Sequence, residues 1–397
     1  MKESIQFLAG KLRGDRYIWL VVLGLSLFSI LAVYSSTIAL SFNEAGGNTE
    51  FFVMKHIGIM ILGVIMMYFA HLIPYRFYSR ISQILLWLSI PLLIYTLFFG
   101  VEINDASRWI TVPVVNLTFQ TSDLARFALI MYTARLLSKK QELVHSFREA
   151  FVPVILPVAV VCALIFPDNL STASILFITC LLLMFIGRVN IKYIALTALS
   201  GIVLIGAIIA LSYVLPDVGR FATWQSRIES FTNGSGEEPD QVRLSKTAIA
   251  MGGLFGQGPG NSTQVHSLPL AYADYIYSLI IEEYGLIGGI IIISLFLILM
   301  YRCIRIVVYA PSSFGALLAI GLGMSLTIQA LINMAVATSL LPVTGLTLPF
   351  ISMGGTSLWF TSLSFGIILS VSREIELVKL QEAGELPEDE KIGEGIE

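Results

Sequence analysis

The sequence predicts an all-α, polytopic integral membrane protein of about ten transmembrane helices with both termini cytoplasmic, and three observations predict it. Of 397 residues, 56% are hydrophobic and only 13% are Asp, Glu, Lys or Arg, about half the charged share of an ordinary soluble chain. The apolar residues fall into runs long enough to cross a hydrocarbon layer, which takes roughly 20 residues of helix. The bases gather at alternate ends of those runs, the asymmetry that fixes membrane orientation. The same composition excludes a disordered chain, a rod and a disulfide scaffold, and 24 bases against 27 acids leave no basic field for nucleic acid.

The runs lie near 17–40, 52–73, 81–100, 122–138, 151–166, 171–187, 193–214, 275–301, 313–338 and 353–372. Residues 1–16 carry Lys2, Lys11, Arg13 and Arg16 and form a basic cytoplasmic N-terminus; the first run is too long for a cleavable signal. Arg76 and Arg80 follow the second run, Lys139, Lys140 and Arg148 the fourth, Arg188 and Lys192 the sixth, and Arg302 and Arg305 the eighth. The short loops on the other side are poor in bases, and 339–352 holds no charge. The fourth, fifth and sixth runs are short or interrupted.

Two outer loops are long, near 101–121 and 215–274, so extracytoplasmic chemistry is expected there. The second contains an acidic turn, Asn233 to Asp240, then Gly252-Gly-Leu-Phe-Gly-Gln-Gly-Pro-Gly260, five glycines in nine residues. The membrane domain is expected to span 17–373, and 374–397 to be a disordered, acidic cytoplasmic tail. Cys162, Cys180 and Cys303 show no CxxC spacing and read as small hydrophobes.

Asp274 stands where the second long loop meets the eighth run. A carboxylate at a helix N-terminus reads as an N-cap, and the same carboxylate, kept ionised by the dipole, is a compatible acceptor of a hydroxyl proton. Glu282 and Glu283 lie deeper in the same run, where intramembrane carboxylates face a polar interior; an Arg or Lys partner on a neighbouring helix, or a polar floor beneath a cavity, is expected. Arg108 and Trp109 combine a guanidinium that can hold phosphate with an interfacial indole. Asp123 and Arg126 have the spacing of an i,i+3 ion pair. Lys55 and His56 open the second run on the outer side, against the positive-inside trend. Gly345 to Ser357 is broken by Gly and Pro, and non-helical backbone at membrane depth is tolerated where protein or a cavity surrounds it.

Several motifs in order resemble the SEDS family, the FtsW/RodA/SpoVE proteins of the bacterial cytoplasmic membrane. Phe51-Phe-Val-Met-Lys-His56 resembles the opening of its second helix, and Ala106-Ser-Arg-Trp-Ile110 its A-x-R-W-I element. Gln120-Thr-Ser-Asp-Leu-Ala-Arg126 is similar to Q-P-S-E-L-A-K, and Phe166 to Ala173 to P-D-L-G-T-A. Gln241 to Gly260 is similar to Q-x-x-x-S-x-x-A-I-x-x-G-G-L-F-G-x-G-x-G, Leu268 to Asp274 to L-P-E-A-H-T-D, and Gly345 to Ser357 to G-L-T-L-P-F-I-S-Y-G-G-S-S. The departures are His266 and Leu270 at positions often acidic, Tyr272-Ala273 in place of His-Thr, Met353 in place of Tyr, and Thr344 in place of a Lys found in some members.

The resemblance implies a peptidoglycan glycosyltransferase that polymerises lipid II on the outer face of the membrane and releases undecaprenyl diphosphate. Asp274 would be the general base, with Arg108, Trp109, Lys55, Gln241, Arg243 and Ser245 binding substrate and Asp123, Arg126, Glu282 and Glu283 giving polar support. Implied partners are lipid II, the nascent glycan strand, a class B penicillin-binding protein, other divisome membrane proteins and membrane lipids. No metal site is fixed by the residues, though a divalent cation, Mg2+ or Mn2+, suits the diphosphate. Gly345-Leu-Thr-Leu-Pro349 favours the division branch over the elongation branch and hence the septum. A lipid-linked precursor flippase and a non-catalytic scaffold are the alternatives.

Overall fold

The structure, a computed structural model, describes residues 13–37, 49–103, 106–112, 117–214, 221–232, 240–268 and 271–383. The acidic turn at 233–239, Leu270, residues 384–397 of the expected tail and the side chains of Arg108 and His266 lie outside the described residues; residues 374–382 of that tail are not disordered but continue the last helix, Gly355–Glu382, with Glu374 and Ile375 buried.

Twelve helices are described, and each apolar run becomes one because only a helix satisfies its own backbone in lipid. They are α1 (Arg16–Ser36), α2 (Thr49–Leu72), α3 (Arg76–Phe99), α4 (Thr121–Lys139), α5 (Val152–Ile165), α6 (Leu170–Ile186), α7 (Ile191–Val214), α8 (Phe221–Thr232), α9 (Asp240–Gly252), α10 (Ile276–Tyr309), α11 (Ser313–Ala337) and α12 (Gly355–Glu382). Eight are long and apolar enough to cross a membrane: α1, α2, α3, α5 with the π-helical turn Phe147–Phe151 before it, α7, α10, α11 and α12. Of the remaining expected crossings, α6 is apolar over 17 residues. α4 is less apolar because protein rather than lipid surrounds it: every residue from Thr121 to Met131 is buried.

α11 and α12 are 78% and 67% buried over their most apolar windows, whereas α7 is 6% buried. The bundle therefore has a protein-packed centre of α4, α11 and α12 and a periphery whose apolar side chains are left for lipid. α2 runs along α12, α10 along α11, and α3 along α4.

Both long outer loops fold, and the first departs from the all-helical expectation. The first long loop folds as a three-stranded antiparallel sheet, β1 (Val101–Ile103), β2 (Ala106–Val112) and β3 (Leu117–Gln120), with Trp109 opposite Gln120. The second contains α8 and α9.

The glycine-rich segment has a packing role. α10 is broken at Gly285, where φ is 69° and ψ is −174°. Backbone groups of 253–258 fill the break: Gln257 N and Gly258 N donate to Glu282 O and Glu283 O at 2.9 and 3.0 Å, and Leu286 N donates to Gly253 O at 3.0 Å. Two backbones this close leave no room for side chains. A β-carbon on Gly256 would sit 2.1 Å from Glu283 O, and one on Gly285 2.2 Å from Leu254 O. The loop thus supplies the hydrogen bonds that the interrupted helix cannot make for itself.

Candidate active site around Asp274

Asp274 lies in the turn 271–275 that leads into α10 and is half-buried. The N-cap position is Tyr275, which makes no side-chain capping bond, so Asp274 stands one residue before the cap. The turn is held through its main chain. Asn333 Nδ2 on α11 donates to both Asp274 O at 2.8 Å and Leu346 O at 2.6 Å, using both amide hydrogens. Ser352 Oγ donates to Ala273 O at 2.6 Å and accepts from Leu348 N at 2.8 Å. Met353 N donates to Tyr272 O at 2.9 Å.

The Gly/Pro-broken segment is therefore the back wall of Asp274. A β-carbon on Gly345 would come within 3.8 Å of Asp274 Oδ2, and Gly345 has φ 68°. Phe350, a buried non-glycine residue, also has φ 65°, a strained conformation of the kind found at functional segments. Its ring packs edge-on against Phe365 at 5.5 Å.

Further polar side chains reach the same wall from other helices. Gln329, one turn before Asn333, donates to Thr347 O at 2.9 Å and accepts from Arg126. Arg126 also lies 3.5 Å from Asp123, and both are buried. Ser29 Oγ on α1 donates to Ile351 O at 2.9 Å and lies 2.8 Å from His56 Nε2. Ser29 has one hydroxyl hydrogen, already used, so His56 Nε2 is the donor in that pair. Asn333→Ala is expected to lower stability by about 1–3 kcal/mol, since two carbonyls lose their donor, read as earlier thermal unfolding of the purified protein.

Arg227 was missed by the sequence reading. It is half-buried on α8 and donates to Val343 O at 3.2 Å. Both Arg227 and Asp274 act on the Tyr275 phenol. Burial first, and then the Asp274 carboxylate, push that phenol up to about 12, with Arg227 opposing them. Tyr275 thus stays protonated at any physiological pH, and the ionisable oxygen of this turn is on Asp274.

The other expected binding residues divide. Trp109 is half-buried on β2, whose neighbour β3 meets the start of α12 through Gln120 N and Thr356 Oγ1 at 3.3 Å. Arg108 shares β2 with it. Lys55 is exposed on α2, one residue from the buried His56. Gln241 is half-buried on α9. Arg243 is exposed and forms a local pair with the exposed Asp240 at 2.9 Å. Ser245 is a correction: it is fully buried, 2.5 Å from Ser278 Oγ, and donates to Ala337 O at 2.7 Å. It pins α9 against α10 and α11 and offers nothing to a substrate.

The expected basic partners of Glu282 and Glu283 are also corrected. Glu282 accepts from Ser262 Oγ at 2.5 Å, Thr263 N and Oγ1 at 2.9 Å, and Gln264 N at 3.3 Å; Glu283 accepts from Ser35 Oγ. These carboxylates anchor a loop and a helix to α10. Among the described residues no three His, Cys, Asp or Glu side chains stand together as a metal site.

Comparison with known proteins fits this geometry. The probable peptidoglycan glycosyltransferase FtsW of Trichlorobacter lovleyi is 34% identical over 92% of this chain and 95% of its own length. Stage V sporulation protein E of Bacillus subtilis is 32% identical over 90% of this chain and 97% of its own length. Among solved structures, one titled for the structural coordination of polymerization and crosslinking by a peptidoglycan synthase complex has a TM-score of 0.72 at 20% identity, covering 91% of this chain and 98% of that one. The rod shape determining protein RodA of Thermus thermophilus gives a TM-score of 0.64 at 20% identity, covering 91% and 97%. The model of the FtsW/RodA/SpoVE family, described as cell cycle proteins, matches residues 15–377. With its relatives matched nearly end to end and its fold shared with RodA, this chain belongs to the FtsW/RodA/SpoVE family.

Proposed function

We propose that the chain is a peptidoglycan glycosyltransferase that polymerises lipid II, with Asp274 as general base. The carrying observation is that the turn bearing Asp274 is held through its main chain from two elements, α11 and the 345–354 segment, which fixes where the half-buried Asp274 stands. Asp274 takes the proton of the acceptor sugar hydroxyl as that oxygen bonds the anomeric carbon of the donor. The bond from that carbon to the diphosphate oxygen breaks, and undecaprenyl diphosphate leaves with the electron pair. Developing charge on the diphosphate calls for a fixed cation, and Arg227, beside the same turn, takes that role in preference to Arg243. Positive-inside placement of the bases puts both termini in the cytoplasm and Asp274 on the outer face of the cytoplasmic membrane. The partner is a class B penicillin-binding protein, and the Gly345 to Pro349 motif favours a septal role for the pair.

The test is polymerisation of purified lipid II by the purified chain with its cognate transpeptidase. Glycan strands are expected; lipid II carried across a bilayer without polymer would make the chain a transporter instead. In the same assay Arg227→Ala is expected to lower kcat/KM by about 10- to 100-fold, the worth of a hydrogen bond to a charged group. Arg243→Ala, an exposed pair, is expected to change it less than about threefold. Repeating the assay with chelator decides whether a cation travels with the diphosphate; no step above requires one from the protein.

A further inference from the structure

At the opposite end of the bundle from Asp274 is a second polar site that the reaction does not use. α10 rises about 1.5 Å per residue, so Arg302 to Tyr309 lie roughly 40 Å from its first turn. There the ends of α10 and α12 and the start of α1 enclose a cavity of about 210 Å³, lined by Asp15, Arg302, Arg305, Tyr309, Glu376 and Lys379 among others. That is on the order of seven water molecules' share of liquid volume, enough for a phosphate with a few attached atoms and too little for a nucleotide.

Its charges do not balance. Both carboxylates are already engaged: Asp15 pairs with Arg302 at 2.5 and 2.6 Å and accepts from Tyr17 N, and Glu376 accepts from Gly14 N at 2.7 Å. Arg305 and Lys379 have no carboxylate partner among the described residues. Both lie against the Tyr309 ring, at 5.5 and 4.5 Å from its centre. Helix C-termini favour bases near them, which accounts for two cations at these ends but not for their convergence on one ring beside a cavity. Three bases against two carboxylates leave room for one negative charge. The rim is amphipathic: Tyr17, Tyr301 and Tyr309 are about half exposed, and Ile304 and Val308 lie open beside them, the aromatic and aliphatic belt of a membrane interface.

We propose that this cavity binds the phosphate headgroup of an anionic glycerophospholipid carrying one net charge, with Arg305 and Lys379 as its ligands and the acyl chains lying along the open apolar face of α10. The single charge of the headgroup matches the one net positive charge of the lining, and the headgroup ties α1, α10 and α12 together at this end.

The test uses the full chain in vesicles of phosphatidylcholine containing a minor share of spin-labelled phosphatidylglycerol, compared with spin-labelled phosphatidylcholine. The protein is expected to immobilise the anionic lipid in preference. Arg305→Gln and Lys379→Gln should each weaken that preference by roughly fivefold, and the double variant should abolish it. Both side chains are exposed, so folding is retained, and the two single variants provide independent readings. Equal immobilisation of the anionic lipid by the wild type and the double variant would overturn the proposal. So would displacement of the lipid by millimolar inorganic phosphate, which would make the site one for free phosphate. A chain ending at Ala383 that bound the lipid when the full chain did not would make the acidic tail the occupant, and would equally overturn it.

Discussion

Asp274→Asn is expected to yield a protein that folds and inserts as the wild type does and polymerises lipid II at least about 100-fold more slowly, the lower end of what a positioned general base contributes. The two halves of that expectation have separate grounds. Folding is retained because Met353, Ser352 and Asn333 hold the turn through the carbonyls of Tyr272, Ala273 and Asp274. Asparagine has the same shape and the same main chain, so Asn333, Ser352 and Met353 keep their partners. Activity is lost because an amide cannot take the hydroxyl proton, and the adjacent Tyr275 is a phenol pushed up to about 12 by burial and the neighbouring carboxylate. Thermal unfolding and strand synthesis measured on one preparation separate the two. An unchanged unfolding midpoint with undiminished polymer would remove Asp274 from the chemistry.

The membrane architecture was legible because a bilayer imposes a length and a composition on every crossing, and eight of the ten expected runs fold as helices that meet both. α4 read weakly for a physical reason: a helix enclosed by protein can carry Asp123, Arg126 and Thr133 without facing lipid. The sheet at 101–120 was not legible, since strands of three, seven and four residues leave too little alternation to distinguish them from loop. The site divided in the same way. Asp274 was marked by its place before a long apolar run and by the family motif around it. Arg227 carried no local signal: it sits on a short amphipathic helix in a long loop, and only the fold brings that helix to Val343. Glu282 and Glu283 were rightly read as buried, but a reading that pairs acids with bases could not find partners that are hydroxyls and backbone amides, 18 to 20 residues away for Glu282 and 248 residues away for Glu283. Ser245 shows the converse, a motif serine whose spacing marks packing and not recognition.

Gly256→Ala and Gly285→Ala are each expected to destabilise the protein by more than about 4 kcal/mol, the range reserved for a few specific mechanisms. Two act together here. Each residue has a positive φ, 80° and 69°, which costs an L-residue roughly 1–2 kcal/mol. The added carbon would then meet backbone, Glu283 O at 2.1 Å for Gly256 and Leu254 O at 2.2 Å for Gly285, so no side-chain rotation relieves the clash. The two strands of chain must part instead, and parting them breaks the bonds from Gln257, Gly258 and Leu286 across the gap in α10, leaving backbone polar groups unpaired at membrane depth. Gly206→Ala is the control, because nothing lies within 4 Å of its β-carbon and alanine favours helix over glycine by about 1 kcal/mol. Monodisperse yield and thermal midpoint in detergent are the measurements: loss for the first two variants with no loss for the third is expected, and a wild-type midpoint for Gly256→Ala would mean that the loop does not seal the broken helix. The consequence would reach the active site, because the same loop continues to Ser262–Gln264, which Glu282 holds, and then to Asp274 itself. A substitution in a glycine some 18 residues before the general base should therefore lower polymerisation in whatever protein still folds, through displacement of that base and not through any contact with substrate.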